Sequence, residues 1–262
     1  SQYHGTWDNE SYSLDDIARI VISSGGGQVL NFRMYSACGK ACYSLVASVL
    51  GYSFDGEPIS IKIMIRVDDP TDLLEVSRAL AEGGVRMVEI TLTVPGALEI
   101  ISSVSRELGE SVLIGAGTVL DAATARMAIL AGASFIVGPC FDRETVDMCK
   151  LYDTAVMPGC ITPTEIVAAW KAGADVVKIF PGRVGTPGYF QDLKGPLPHI
   201  RMMPTGNVDL KTAPEYIKAG AVAVGVGKAL VDIAAVKSRQ FGVITENART
   251  FRKLVADARG GA

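Results

Sequence analysis

One junction recurs along the chain. "AEGGVRMVEI", "LAGASFIVGP", "KAGADVVKIF" and "KAGAVAVGVG" each read as the end of a helix, a glycine stop and then a strand. Helices commonly close on a residue in the left-handed conformation, which glycine adopts without steric penalty. The marker glycines Gly84, Gly132, Gly173 and Gly220 lie about 40 to 50 residues apart, roughly twice a single βα unit. A further strand candidate falls in each interval: "SVLIGAGT", "TAVMPG" and "IRMMPTG". With "SIKIMIRV" in front, eight strands emerge, each followed by a helix-length segment such as "DPTDLLEVSRALAEG", "DAATARMAILAG" or "DLKTAPEYIKAG". Eight alternating units in about 200 residues predict an α/β protein of the (β/α)8 TIM-barrel class. An open dinucleotide-binding sheet would gather its glycines at the first strand-to-helix turn, whereas here they are spread evenly.

The barrel is expected over residues 61–262, behind an N-terminal extension, residues 1–60, that lacks the pattern. "SLDDIARIVISSGGG" reads as a helix capped by Ser13 or Asp15, "QVLNFRMY" as a strand, and "KACYSLVASVLGYSF" as a second helix. The opening "SQYHGTWDNESYSLDD" is too acidic and polar for a signal or transit peptide. The net charge of −3 leaves no electrostatic footprint for nucleic acid, and no apolar run is long enough to span a bilayer. Five cysteines, an odd number in unlike contexts, fit a reducing, cytoplasmic setting. "CGKAC" lacks the spacing and the second ligand pair of a metal site, and with only His4 and His199 in the chain a histidine-based metal centre or a Ser-His-Asp triad has little material. Neither metal nor cofactor is expected.

Within this frame "VVKIFPG" stands out, because it places Lys178 inside a run that otherwise reads as a buried strand. Side chains alternate along a strand, so Lys178 shares its face with Val176 and Phe180, while Val177 and Ile179 point to the helices. Burial penalises the ammonium and lowers its pKa. The free amine attacks carbonyls, which makes Lys178 a candidate for Schiff-base formation. Such chemistry needs a group that moves protons. Glu89, in "VEITLT" with Met87 and Thr91 on its face, is the carboxylate placed for that role. The competing reading is a buried Lys178–Glu89 ion pair that only fills the barrel.

Barrel active sites collect at the C-terminal strand ends. Arg66 ends the first strand, Thr118 the third, and strands seven and eight run into "PTGN" (Thr205, Gly206, Asn207) and "GVGK" (Gly225, Gly227, Lys228). The last two loops read as phosphate cradles, with a helix starting near Lys228 adding its positive end. Trp170 and Phe135 read as core, and His199 as a turn residue without a partner.

"VEITLTVPGALE", "LIGAGTVL", "FIVGPCFD", "MPGCITPTEI", "VVKIFPG", "KGPLPHIRMMPTGNV" and "AVGVGKALV" follow one another in an order that resembles the bacterial 2-keto-3-deoxy-6-phosphogluconate (KDPG) aldolases, which also act on 4-hydroxy-2-oxoglutarate. The resemblance covers about residues 60 to 235. It implies a metal-free class I aldolase, usually trimeric, that splits KDPG into pyruvate and glyceraldehyde 3-phosphate. It places the family's lysine on Lys178, its glutamate on Glu89, the threonine near the pyruvate carboxylate on Thr118, and the first-strand arginine on Arg66. Thr93 stands where many members carry arginine, Asn207 where a second glycine is common, and Lys228 where a small serine is frequent. Thr93, Phe180, Thr205, Gly206, Asn207, Gly227 and Lys228 complete the expected substrate-binding set. Two alternatives share the sequence features: an aldolase for a related 2-oxo acid, and an oligomeric scaffold that keeps the barrel for assembly.

Overall fold

The computed structural model describes residues 61–65 and 72–260, together with the backbone of Ser53–Phe54 and Glu57–Pro58. The helix and strand expected within residues 1–39, and Arg66, lie outside the described residues. Of the second N-terminal helix, expected over residues 40–54, residues 40–52 lie outside the described residues, and the last two are not helical. Ser53–Phe54 instead pairs antiparallel with Glu57–Pro58. The intervening Asp55-Gly56 dipeptide is a strong signal for a two-residue hairpin loop.

Eight parallel strands form a ring. β1 (Ile61–Ile65) pairs with β2 (Met87–Thr91), then follow β3 (Leu113–Gly117), β4 (Phe135–Val137) and β5 (Ala155–Met157). Past Pro158, β5 continues as Gly159–Cys160, which pairs with β6 (Val177–Ile179), and β6 pairs with β7 (Met202–Pro204). The eighth strand, β8 (Val224–Val226), pairs with β1, and a single bridge from Thr205 to Gly225 joins β7 to β8. The hydrogen-bonded ladder is therefore two arcs, one of six strands and one of three short ones.

Helices follow the strands as the junctions predict: α1 (Leu73–Glu82), α2 (Ala97–Leu108), α3 (Ala122–Leu130), α4 (Arg143–Leu151), α5 (Pro163–Lys171), α6 (Pro187–Lys194) and α7 (Thr212–Lys218), with α8 (Ile233–Lys237) and α9 (Phe241–Gly260) after β8. Their starts are chemically marked. Asp121, Asp142 and Thr186 each accept a hydrogen bond from a first-turn N–H, and Thr162 with Glu165 forms a reciprocal capping box. Their ends are marked by the predicted glycines, since Gly84, Gly132, Gly173 and Gly220 all adopt φ between 84° and 104°. The long α9 lies against α1, where Gly83 leaves room that a Cβ would take from Ala248, at 2.3 Å.

Alternation divides the apolar side chains into two bodies. Ile63, Val88, Ile90, Ile136, Val177 and Ile179 face the helices in the larger one. Met87, Leu113, Phe135, Val137, Met157, Val176 and Met203 fill the interior of the ring. Phe135 is fully buried there, and a Cβ on Gly115 would come within 2.3 Å of its ring, so the bare glycine is what lets the aromatic lie flat across the barrel. Removing that ring leaves a void between short strands that resist collapse, so Phe135→Ala is expected to cost about 3–5 kcal/mol in urea unfolding. An unchanged midpoint would show that the barrel interior can close around the loss.

Candidate active site

Lys178 and Glu89 point into the ring from β6 and β2, which stand opposite each other among the eight strands. Lys178 is 4% exposed, and its Nζ lies 4.7 Å from the centre of the Phe180 ring. Burial brings its pKa down to about 8, with the charge of Lys62 pushing the same way and Glu89 and Cys140 opposing. As alternation predicts, Val176 lines the interior, Phe180 sits over the amine, and Val177 and Ile179 face the helices.

Glu89 is almost fully buried, but its ion-pair partner is not Lys178. Oε2 accepts a charge-assisted hydrogen bond from Lys62 Nζ, on β1, which is itself completely buried. Oε1 is buried without a hydrogen-bond partner among the described residues. It rests over Gly117 on β3, where an added Cβ would lie 1.9 Å from it. Among the described residues the ion pair of Glu89 is thus with Lys62 and not with Lys178. Lys62 is not among the residues that the sequence marks for the site. The available signal was the alternation in "IKIMI", which puts Lys62 and Met64 on the interior face.

The loops supply the rest. Thr118, half-buried at the end of β3, holds φ of 61°, a strained setting for a β-branched residue that proteins keep mainly at functional sites. Thr93 is exposed, and its hydroxyl lies 2.9 Å from that of the buried Thr91. Gly206 and Asn207 take consecutive left-handed conformations, φ 89° and 57°. Asparagine tolerates this conformation better than most residues, which explains how it replaces a second glycine. Thr205 is buried with its Oγ1 unpartnered and packs on Gly225, where a Cβ would sit 2.3 Å from that oxygen. Gly182, just after β6, donates its N–H to Thr205 O at 2.9 Å and approaches Gly206 O so closely that a Cβ would lie 1.9 Å away. The loops after β6 and β7 are thereby in backbone contact, and Tyr216 Oη donates to Gly182 O at 3.1 Å.

The expected helix at Lys228 is a correction. Residues 228–230 form a turn closed by Leu230 N–H to Gly227 O, and α8 begins only at Ile233. Asp232 takes the hydrogen bonds of the Ala234 and Ala235 N–H groups, so no helix end points its free amides at Gly227. Lys228 is exposed and Gly227 half-buried. His199 is also corrected: it meets the Trp170 ring edge to face at 6.4 Å, and Trp170 is in turn covered by Arg201 at 5.2 Å. Phe135 is core, as read. Among the described residues no group of three or more His, Cys, Asp or Glu is placed to hold a metal ion, and no helix is long and apolar enough to cross a membrane.

Fold and interior together define a (β/α)8 barrel whose interior holds a buried lysine of lowered pKa and a buried carboxylate with one oxygen unpartnered among the described residues. The family described as KDPG and KHG aldolase matches residues 58–247, and the chain belongs to that family. It is 32% identical to the 2-dehydro-3-deoxy-phosphogluconate aldolase of Treponema pallidum (strain Nichols), over 72% of this chain and 90% of that one. It is 37% identical to the enzyme of the same name from Pseudomonas aeruginosa, over 59% of this chain and 70% of that one. Among solved structures it is similar to the KDPG aldolase of Legionella pneumophila with pyruvate captured as a covalent carbinolamine, at TM-score 0.71 and 25% identity, covering 79% of this chain and 97% of the other. It is also similar to a cube-shaped protein cage designed by fusing symmetric oligomeric domains, at TM-score 0.72 and 29% identity, covering 78% and 74%.

Two substitutions test the geometry. Gly117→Ala is expected to drive the Glu89 carboxylate off its seat and reduce turnover at least tenfold with the fold retained by circular dichroism. Unimpaired turnover would mean that Oε1 has no part in the chemistry. Thr118→Gly should relieve the left-handed strain and leave unfolding free energy unchanged or raised by up to about 1 kcal/mol, while weakening keto-acid binding. A loss of stability would refute the strain argument.

Proposed function

We propose that this chain is a class I aldolase that cleaves KDPG into pyruvate and glyceraldehyde 3-phosphate. The observation that carries this reading is the buried amine of Lys178 on a barrel strand end, with its pKa brought down to about 8. Its Nζ adds to the keto carbon of the substrate to give a carbinolamine, which loses water to become an iminium. Glu89, through Oε1, takes the proton of the hydroxyl on the fourth carbon as the bond between the third and fourth carbons breaks. That releases the aldehyde and leaves the bonding electrons in an enamine. Glu89 returns its proton to the third carbon, and water hydrolyses the resulting iminium to pyruvate and free lysine.

Thr118 holds the keto-acid carboxylate, together with Arg66, and Thr93 and Phe180 flank it. Thr205, Gly206, Asn207, Gly227 and Lys228 bind the phosphate end. Their left-handed backbone and the exposed cation of Lys228 suit an anion, although no helix end contributes. The bulk of Asn207 and Lys228 favours keeping 4-hydroxy-2-oxoglutarate, which lacks the phosphate, as a second substrate, and comparing pyruvate release from the two keto acids separates them. The barrel spans residues 61–262 and assembles as a homotrimer in the cytoplasm. Exposed Met127 and Leu130 on α3 and Leu151 at the end of α4 supply an apolar surface for such contacts.

Borohydride with pyruvate should reduce the imine onto Lys178, located by peptide mass spectrometry, and Lys178→Met should abolish the label. Because burial lowers the amine's pKa, the reactive neutral form is gained as pH rises. The trapping rate should climb about tenfold per unit up to about pH 8 and then level off. A label on another residue, or a rate that is flat with pH, would exclude this mechanism.

A further inference from the structure

Lys62 has no part in the steps above, yet it is a completely buried charge inside the barrel. Met64, two residues along on the same interior face, shows what an apolar side chain of similar length would do there without a desolvation cost. The lysine binds one oxygen of Glu89 and leaves the other, Oε1, buried and unpartnered above the bare Cα of Gly117. A carboxylate oxygen left unsatisfied in a dry site is costly. It is tolerated where its partner arrives with the substrate.

We propose that Lys62 is a positioning residue for the aldol cleavage: its ammonium anchors Glu89 by Oε2, so that Oε1 alone is presented to the protons that move. The proposal rests on the aldolase reading, and Lys62 itself touches no reacting atom. Its second effect is electrostatic. Among the described residues, the charged or titratable groups that act on the Lys178 amine are Glu89 from β2, Lys62 from β1 and Cys140 from the loop after β4. Glu89 favours the ammonium, and Lys62 offsets it. An anionic proton carrier and a free amine can thus share one apolar enclosure, because the carrier's charge is already answered on its far side.

The test compares Lys62→Met and Lys62→Gln in the full chain. In Lys62→Met, the acid limb of kcat/KM should move upward by about one pH unit, and kcat should fall at least tenfold, with KM changed much less. Lys62→Gln keeps a hydrogen-bond donor for Oε2 without the charge, so it should recover part of kcat while retaining the displaced limb. It also provides the measurement if the methionine variant does not fold. A limb at the wild-type position in a folded variant, or activity lost only in proportion to folded protein, would overturn the proposal. Borohydride trapping of the wild type separates the two levels. No adduct at Lys178 refutes the aldolase reading, whereas an adduct in the wild type with an unmoved limb in the variants refutes only the role of Lys62.

Discussion

Desolvation is the interaction on which the interior of this barrel depends. A ring of short strands is lined by Phe135, Met157, Val176 and Met203, and in such apolar surroundings an ammonium is penalised relative to a free amine. At neutral pH, a pKa of about 8 in place of the ordinary 10.5 makes roughly 300 times more neutral amine available. No special reagent is required, only a lysine on an inward strand position and enough apolar volume around it. The Glu89 carboxylate is buried in the same interior and pairs there with Lys62.

Most of the architecture was legible because it rests on local chemistry. Gly84, Gly132, Gly173 and Gly220 were read as left-handed helix stops, and each has that conformation. Lys178 was legible for the opposite reason, as a polar residue that contradicts its surroundings. Lys62 breaks the pattern equally in "IKIMI", but its meaning depends on which carboxylate the ring brings beside it. That contact joins residues 27 positions apart and is fixed by strand register, not by composition. The helix expected at Lys228 failed on the scale of a few residues. Glycine and lysine are compatible with a turn or a helix start, and the capping aspartate that decides between them stands at position 232.

The departures from the family pattern now have physical sense in one case and an open role in two. Asn207 occupies a left-handed position that few other side chains would accept, so the loop keeps its backbone shape without the second glycine. Thr93 and Lys228 are both exposed, so either can differ from the family pattern without repacking the barrel.

The broken ladder has a consequence for the chemistry. Lys178 belongs to the three-strand arc and Glu89 with Lys62 to the six-strand arc, and the two are joined by the chain through Pro158, by the Thr205–Gly225 bridge, and by hydrogen bonds from Asp175 N–H to Val156 O and from Val222 N–H to Met202 O. At these two seams the ladder between amine and acid is thinner than within either arc. The wedge of side chains that fills the ring therefore shares with a few backbone bonds the task of spacing the two groups, so the molecule's reactivity is sensitive to the volume of its oily filling.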